Sequence, residues 1–236
     1  MNMPFEYQTA LIVGAGGGLS ASLARVLHAD ADMRIALAAR RPDKLAALVG
    51  QTGAATFACD ASDPAQVQRL FSDVERHFGA APEVVIYNPS ARTRGPLVEL
   101  DPTAVANVLA ITAYGGFLVA QAAARSMLLH GKGAILFTGA SASVKGYPGS
   151  APFAMGKFAL RGLAQSIARE LAPQGVHVAH FVIDGAIRNP GRTEAADAPD
   201  SMLDPDAIAR SYLHVLGQHR SAWTWEVELR PWVERF

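Results

Sequence analysis

The sequence lacks the features that would support a disulfide framework, a polyanionic partner or a membrane anchor. Cys59 is the only cysteine in 236 residues, which excludes an intramolecular disulfide and a cysteine metal cluster. Basic and acidic residues number 21 each, so no charge excess points to nucleic acid or an anionic membrane. No apolar run approaches about 18 residues, and Met1–Gln8 shows no signal-peptide pattern. The histidines show no metal-ligand spacing. We expect a cytoplasmic protein without a metal.

The apolar pattern predicts one α/β domain over residues 1–236. Half of the residues are hydrophobic and 18% are charged, which is enough apolar material for a sizeable core. Short Val- and Ile-rich runs alternate with longer segments of helical period, which is typical of a doubly wound parallel sheet with helices on both faces. The predicted strands are Ala10–Val13, Arg34–Ala39, Ala54–Cys59, Val84–Tyr87, Gly133–Thr138, His177–Ile183 and Glu226–Leu229. The predicted helices are Leu19–Ala29, Pro42–Leu48, Pro64–Phe78, Ala104–His130 with a bend or break at Gly115-Gly116, Pro152–Leu171 and Pro205–His219.

Local signals mark two helix starts and one irregular segment. Asp63 precedes Pro64 and Asp204 precedes Pro205, the combination of an N-cap and a proline in the first turn. Residues 189–202 have no clear period. This segment is predicted to be a mobile lid or substrate loop; the alternative is a solvated insertion without a role.

A glycine-rich turn follows the first predicted strand. The run Gly14-Ala-Gly16-Gly17-Gly18-Leu19-Ser20 leads directly into a predicted helix. This order brings backbone N–H groups and a helix N-terminus to a pyrophosphate, and glycines let the phosphate approach closely. We therefore predict a dinucleotide-binding turn at Gly14, Gly16, Gly17, Gly18 and Leu19.

The end of the second predicted strand indicates which dinucleotide fits. It reads Ala38-Ala39-Arg40-Arg41, with no acidic residue to bind a free ribose hydroxyl pair. Two guanidinium groups can instead fork onto a 2′-phosphate. This favours NADP(H) over NAD(H). The alternative is that Arg40 and Arg41 only flank the helix that starts near Pro42.

Together these residues resemble the short-chain dehydrogenase/reductase family, and the resemblance covers almost the whole chain. The glycine pattern matches at Gly14 and Gly18, whereas the family's last glycine is Ser20 here. Further matches in order and spacing are Cys59-Asp60-Ala61, Asn88, Lys145-Gly-Tyr-Pro-Gly149, Met155-Gly-Lys157, residues 164–178 and Asp184-Gly-Ala-Ile187. The resemblance implies a Rossmann-type sheet of about seven parallel strands and a small-molecule substrate. It also implies a homodimer or homotetramer assembled through the helices near Ala104–His130 and Pro152–Leu171.

The resemblance assigns further cofactor contacts. Asp60 and Ala61 correspond to the adenine position, and Gly185 and Ile187 are assigned to the cofactor as well. Asn88 is assigned to the cofactor or its ribose, with turn formation as the alternative. Lys157 corresponds to the family's lysine, which holds the nicotinamide ribose; the alternative for Lys157 is a role as proton donor.

The family's other catalytic positions are replaced. Its tyrosine lies four residues before the lysine and its serine thirteen residues before the tyrosine, which correspond to Phe153 and Ala140. Its helical asparagine corresponds to Thr112. Because phenylalanine has no transferable proton, the proton relay is altered or lost.

Three nearby hydroxyls are candidate replacements. Ser141 and Ser143 follow the fifth predicted strand, at the end of the sheet where ligands bind. One of them contacts a substrate oxygen, or both are only strand-end and turn hydroxyls. Tyr147 lies in the next loop, with packing in a tight turn as its alternative. Arg92 and Arg94 follow the fourth strand, where they face an anionic substrate or remain solvated.

Two functions follow from this pattern. One is an NADP(H)-dependent oxidoreductase acting on a small carbonyl or alcohol through an altered relay. The other is a dinucleotide-binding protein without redox turnover, such as a sensor, a regulatory partner or a non-catalytic subunit.

Overall fold

The computed structural model describes residues 6–233, in which a parallel sheet runs through the centre of the chain. Its strands are β1 (Thr9–Val13), β2 (Arg34–Ala39), β3 (Ala55–Ala58), β4 (Val84–Tyr87), β5 (Gly133–Thr138), β6 (Val176–Ile183) and β7 (Glu226–Leu229). Their order is β3-β2-β1-β4-β5-β6-β7. The strand order reverses between β1 and β4, so a crevice opens at the carboxyl ends of these strands. This confirms the predicted fold class.

The predicted strands lie within one residue of the observed ones at each end. The helices are α1 (Leu19–Ala31), α2 (Ala46–Thr52), α3 (Pro64–Phe78), α4 (Pro102–Leu109), α5 (Gly115–His130), α6 (Ala151–Leu171) and α7 (Pro205–Leu216). The predicted helix Pro42–Leu48 is instead a 3-10 turn followed by α2, and Pro205–His219 ends early, at Leu216. Residues 1–5 of the N-terminal segment searched for a signal peptide lie outside the described residues.

The sheet is buried on both faces because neighbouring strand residues point to opposite sides. Ala10 and Ile12 of β1 belong to the core layer that contains residues of α1 and α7, whereas Leu11 and Val13 belong to the layer that contains residues of α3, α5 and α6. The strands are therefore apolar throughout, as expected for a parallel sheet covered by helices. This rigid centre holds the loops at the carboxyl ends of the strands.

Aspartate–proline pairs begin three of the helices. The side chain of Asp63 accepts hydrogen bonds from the first turn of α3, and Asp204 does the same for α7, so both predicted caps are confirmed. Asp101 caps α4 in the same way. The helix predicted to start at Ala104 therefore begins at Pro102. The Asp101-Pro102 pair is the same N-cap and proline combination that marks the starts of α3 and α7.

The long fourth predicted helix changes geometry before its glycines. Residues Ala110–Tyr114 form a π-helical turn between α4 and α5, while Gly115 and Gly116 lie inside α5. A Cβ at Gly115 would lie 2.4 Å from the Tyr87 hydroxyl, and one at Gly116 would lie 2.5 Å from Leu160. These glycines allow close packing, and the interruption predicted at Gly115-Gly116 lies in the turn directly before them.

One helical stretch, Pro102–His130, is long and apolar enough to cross a membrane by length and composition alone. The core helices of globular proteins meet the same criterion, and Val119, Ala120, Ala123 and Met127 are buried against the sheet. The stretch is therefore only weak evidence for a membrane span. Residues 189–202 form no helix and no named strand, as their missing periodicity predicted.

Candidate active site

A cavity of about 320 Å³ lies at the carboxyl ends of β1 and β4, and we call it the β1–β4 cavity. It is lined by Val13, Gly14, Ala15, Ala39, Arg40, Cys59, Asp60, Ala61, Asn88, Pro89, Ser90 and Ile111. Five residues predicted to contact a dinucleotide are among them: Gly14, Arg40, Asp60, Ala61 and Asn88. The fold thus brings together residues from five separate loops or strand ends.

The glycine turn combines one tightly packed glycine with three open ones. Gly14 has a φ of +81°, and a Cβ there would lie 2.7 Å from Pro89. A Cβ at Gly16 would meet nothing within 4 Å, and at Gly17 and Gly18 the nearest atoms lie 3.9 and 3.6 Å away. Helix α1 begins next to this open space without a side-chain N-cap and without an acidic residue in its first turn. The turn therefore leaves room and uncapped N–H groups for an anion.

Ser20 and Asn88 fasten the glycine turn to β4. The Ser20 hydroxyl donates to the Gly14 carbonyl over 3.0 Å and accepts from Asn88 Nδ2 over 2.6 Å. Ser20 is buried, so these hydrogen bonds lie on the protein side of the turn. Asn88 thus stabilises the glycine turn, in line with the alternative of a structural role, and it also lines the cavity.

The polar groups around the β1–β4 cavity differ in sign. Arg40 lines the cavity, whereas Arg41 is exposed beside it and is not among the lining residues. Asp60 accepts hydrogen bonds from the Ser62 hydroxyl and backbone N–H, over 2.6 and 3.0 Å. These hydrogen bonds lower the pKa of Asp60, which keeps it ionised near neutral pH.

A second cavity of about 560 Å³ continues the crevice, and we call it the Phe153 cavity. It is lined by Gly18, Leu19, Asn88, Ser90, Arg92, Arg94, Thr138, Gly139, Ala140, Ser141, Phe153, Lys157, Ile183, Gly185, Ala186, Ile187, Asn189 and Arg192. Asn88 and Ser90 line both cavities, so the two form one elongated crevice. The predicted residues Leu19, Ser141, Lys157, Gly185 and Ile187 all lie at the Phe153 cavity.

Lys157 is the buried cation of the Phe153 cavity. Only 2% of its surface is exposed, and its Nζ donates to the Thr138 carbonyl over 2.7 Å. Burial and the positive charge of Arg92 lower the pKa of Lys157 to about 7. Near neutral pH this amine therefore exists in both protonation states.

The positions beside Lys157 offer no hydroxyl to the cavity. Phe153 packs with Ala140 and Ala142 in a small apolar cluster. Thr112 is fully buried against Gly156, where its Oγ1 accepts from the Ala91 N–H over 3.3 Å, and it does not line the cavity. Phe153, Ala140 and Thr112 therefore supply no hydroxyl to the cavity, whose other polar residues besides its cations are Asn88, Ser90, Thr138, Ser141 and Asn189.

Of the three predicted replacement hydroxyls, the structure brings only Ser141 to the cavity. Ser143 is fully buried, and its Oγ accepts from the Ala140 N–H over 3.1 Å. Tyr147 is 45% exposed in the following loop. Across residues 6–233, the cavity wall contains no tyrosine; the Tyr212 hydroxyl, for example, is buried and bonded to Thr138 Oγ1.

Ser143 belongs to a buried polar chain that the sequence interpretation missed. Its Oγ lies 3.4 Å from His180 Nε2, and His180 Nδ1 lies 3.0 Å from Glu226 Oε2. Arg161 donates two hydrogen bonds to Glu226, over 2.7 and 2.8 Å. Burial lowers the pKa of His180 to about 4, so the ring is neutral at pH 7. His180 and Glu226 are register partners on β6 and β7, a pairing that needs the sheet order to be found.

The sequence model of the short chain dehydrogenase family matches residues 8–198. This chain belongs to that family. Its members are NAD(P)-dependent oxidoreductases, and this chain is one of that class. Among residues 6–233, no three His, Cys, Asp or Glu side chains are grouped to hold a metal.

Named relatives and solved structures agree with this assignment. The chain is 30% identical over 204 residues to the 3-oxoacyl-acyl-carrier-protein reductase MabA of Mycobacterium avium, covering 86% of this chain and 75% of MabA. It is 35% identical to a short-chain dehydrogenase from Rhodopseudomonas palustris, with a TM-score of 0.81 and coverage of 95% and 99%. A metagenomic short-chain oxidoreductase in complex with NADP is 25% identical, with a TM-score of 0.83 and coverage of 95% and 97%.

Proposed function

We propose that this protein is an NADP(H)-dependent oxidoreductase acting on a small carbonyl or alcohol, and that residues 1–236 form one dinucleotide-binding domain. The observation that carries the proposal is the continuous crevice: its wall contains Gly14 and Gly18 of the glycine turn and Leu19 at the uncapped start of α1, and buried Lys157 lies at one end. When bound, a nicotinamide dinucleotide supplies or accepts the hydride.

The crevice fits this cofactor in space and charge. The open glycines, Gly16, Gly17 and Gly18, and the adjoining Leu19 suit a pyrophosphate, since no Cβ fills the turn. Asp60 and Ala61 would contact the adenine, and Asn88, Gly185 and Ile187 would border the nicotinamide half together with Lys157. Arg40 would bind the 2′-phosphate, and Asp60 is the one acidic residue among those that line the β1–β4 cavity. Arg41, which does not line the cavity, would contribute less to phosphate binding. The NADP complex of the metagenomic relative supports the choice of cofactor.

We propose that Lys157 takes over proton transfer in an altered relay. Phe153, Ala140 and Thr112 stand at the family's tyrosine, serine and asparagine positions, and none presents a hydroxyl to the cavity. A general acid works best with a pKa near the operating pH, and the pKa of Lys157 is about 7. Ser141, one of the hydroxyl-bearing residues of the cavity wall, would bind the substrate oxygen. Ser143 and Tyr147 have no part in this proposal, because neither lines the cavity.

The test begins with fluorescence titration of NADPH and NADH, followed by a screen of carbonyl substrates for NADPH oxidation. We expect tighter binding of NADPH, turnover by the wild type, and a higher rate for Phe153→Tyr, because tyrosine restores a transferable proton. Phe153→Leu is the matched control, since it changes packing without adding a hydroxyl. Binding of neither cofactor would refute the proposal.

A second function is favoured by the apolar cluster of Phe153, Ala140 and Ala142. A site that binds NADP(H) without turnover would serve a sensor, a regulatory partner or a non-catalytic subunit. Tight NADPH binding with turnover only in Phe153→Tyr would favour this function over the first.

We also propose a cytoplasmic homodimer or homotetramer that assembles through α5 and α6. Several large apolar side chains on and next to these helices are exposed, namely Tyr114, Phe117, Leu129, Met155 and Phe158. Such a concentration is typical of an interface between subunits. Light scattering of the wild type and of Phe158→Glu tests this: the variant should have the lower mass.

A further inference from the structure

The mouth of the Phe153 cavity collects positive charge from two separate segments. Arg92 and Arg94 come from the loop after β4, and Arg192 comes from the irregular segment 189–202. Lys157 adds a fourth cation from α6. The residues that line the cavity include neither aspartate nor glutamate.

The three arginines gather at one cavity without an acidic side chain to neutralise them, unlike several arginines elsewhere that are paired. Arg25, Arg161 and Arg188, for instance, form ion pairs with Asp206, Glu226 and Asp204. Within residues 6–233, no ion pair joins Arg92, Arg94 or Arg192 to a carboxylate. Like charges near one another repel, and partial loss of hydration together with Arg94 and Arg192 lowers the pKa of Arg92. An anion in the cavity would relieve this repulsion.

Arg92 is held in a geometry suited to binding such an anion. Its guanidinium carbon lies 4.0 Å from the centre of the Phe153 ring, a cation–π contact. Lys157 Nζ lies 6.0 Å from the same ring centre. A guanidinium group held over an aromatic ring keeps N–H donors that can make a bidentate contact with a carboxylate or phosphate. Phe153 therefore supports Arg92 at the place where the family has its tyrosine.

We propose that the substrate carries a carboxylate or phosphate group that Arg92 binds in the Phe153 cavity, with Arg94 and Arg192 at the mouth. This inference rests on the proposed function, because it takes the Phe153 cavity as the substrate site. It adds the substrate class: a small oxo acid or phosphorylated carbonyl compound, or the corresponding alcohol.

The experiment uses protein saturated with NADP⁺, so that a carbonyl ligand is bound but not reduced. Calorimetry compares acetoacetate with methyl acetoacetate, and dihydroxyacetone phosphate with dihydroxyacetone. We expect one anion to bind at least about tenfold more tightly than its neutral partner, since a hydrogen bond to a charged group contributes enough for such a ratio. The pair that shows the larger ratio distinguishes carboxylate from phosphate.

Variants assign the preference to Arg92. Arg92→Gln should abolish the anion preference, and Arg92→Lys should retain part of it, because lysine keeps the charge but loses the fork. Arg76→Gln is the matched control, since Arg76 is an exposed arginine of α3 paired with Asp73. Equal binding of anion and neutral partner would overturn the proposal, as would equal weakening of both by Arg92→Gln.

A titration of NADP⁺ into the same variants separates this proposal from the proposed function. We expect Arg92→Gln to leave the affinity for NADP⁺ within about twofold of the wild type; a parallel loss would assign the arginines to the cofactor and overturn the proposal. If NADP⁺ does not bind the wild type, the proposed function fails. The anion pairs are then titrated into the cofactor-free protein, where a preference that depends on Arg92 supports the anion site and its absence refutes it.

Discussion

The β1–β4 cavity and the Phe153 cavity are parts of one crevice, but they are built from different kinds of atoms. The first is shaped largely by backbone, since Gly14 of its wall adopts a positive φ and packs against Pro89. The uncapped start of α1, at Gly18 and Leu19, borders the second cavity. The second depends on the functional groups of a few side chains, chiefly Lys157 and the arginines. The altered proton relay that we propose lies in the second.

This difference shows which part of such a site tolerates substitution. A backbone cradle persists while strand, turn and helix persist, and Ser20 in place of a glycine even adds hydrogen bonds that fasten the turn. A proton relay, by contrast, is lost or changed when one hydroxyl is replaced.

The largest effect is expected at Lys157, on the side-chain-built end. Lys157→Arg keeps a positive charge but cannot release a proton near pH 7, so reduction should slow by roughly 10²–10⁴-fold. In the wild type the reduction rate should fall as pH rises through about 7, where Lys157 loses its proton. Steady-state kinetics from pH 5.5 to 9 measure the rate of the variant and the pH dependence of the wild-type rate.

The Arg92→Gln variant is the control for that pH profile. Because Arg92 lowers the pKa of Lys157, its removal should move the midpoint to higher pH. A midpoint that stays in place would contradict the assignment of the profile to Lys157.

Gly14→Ala tests the backbone-built end. The positive φ and the 2.7 Å approach to Pro89 should together cost about 2–4 kcal/mol of unfolding free energy. Gly16→Ala is its matched control, because a Cβ there meets nothing within 4 Å. We expect it to leave stability within about 0.5 kcal/mol while weakening NADPH binding. Urea unfolding and NADPH titration separate the two effects.

Arg40→Gln should reduce the preference for NADPH over NADH by about 10- to 100-fold, as expected for loss of a charge-assisted hydrogen bond to a phosphate. Arg41→Gln is the comparison, and we expect a smaller change because Arg41 does not line the β1–β4 cavity. Fluorescence titrations of both dinucleotides supply the ratios. A larger change at Arg41 would reverse the assignment.

The smallest effect concerns the buried chain at His180. The folded state holds this ring neutral with a pKa of about 4, whereas an unfolded histidine has a pKa of about 6.5. As pH falls, the unfolded state takes up the proton first, so stability should decline between about pH 6.5 and 4. His180→Gln should flatten this decline, whereas His214→Gln, at an exposed histidine of α7, should not. Urea unfolding at successive pH values measures the slopes.

Much of the fold was predictable because its signals are local. Strand ends were correct to within one residue, and the Asp63 and Asp204 caps lie where an aspartate precedes a proline. The packing role of Gly115 and Gly116 was missed, because they contact Tyr87 and Leu160, which are distant in sequence. Periodicity contains no information about such partners.

The sequence by itself determined the parallel α/β fold, the glycine turn and the absence of a hydroxyl at Phe153. These depend on local residue type and spacing, which the chain order already contains. Only the tertiary structure decided that Ser141 reaches the cavity while Ser143 turns to His180. It also decided that Arg92 stacks on Phe153, since burial and contact between distant segments arise when the strands assemble and not before.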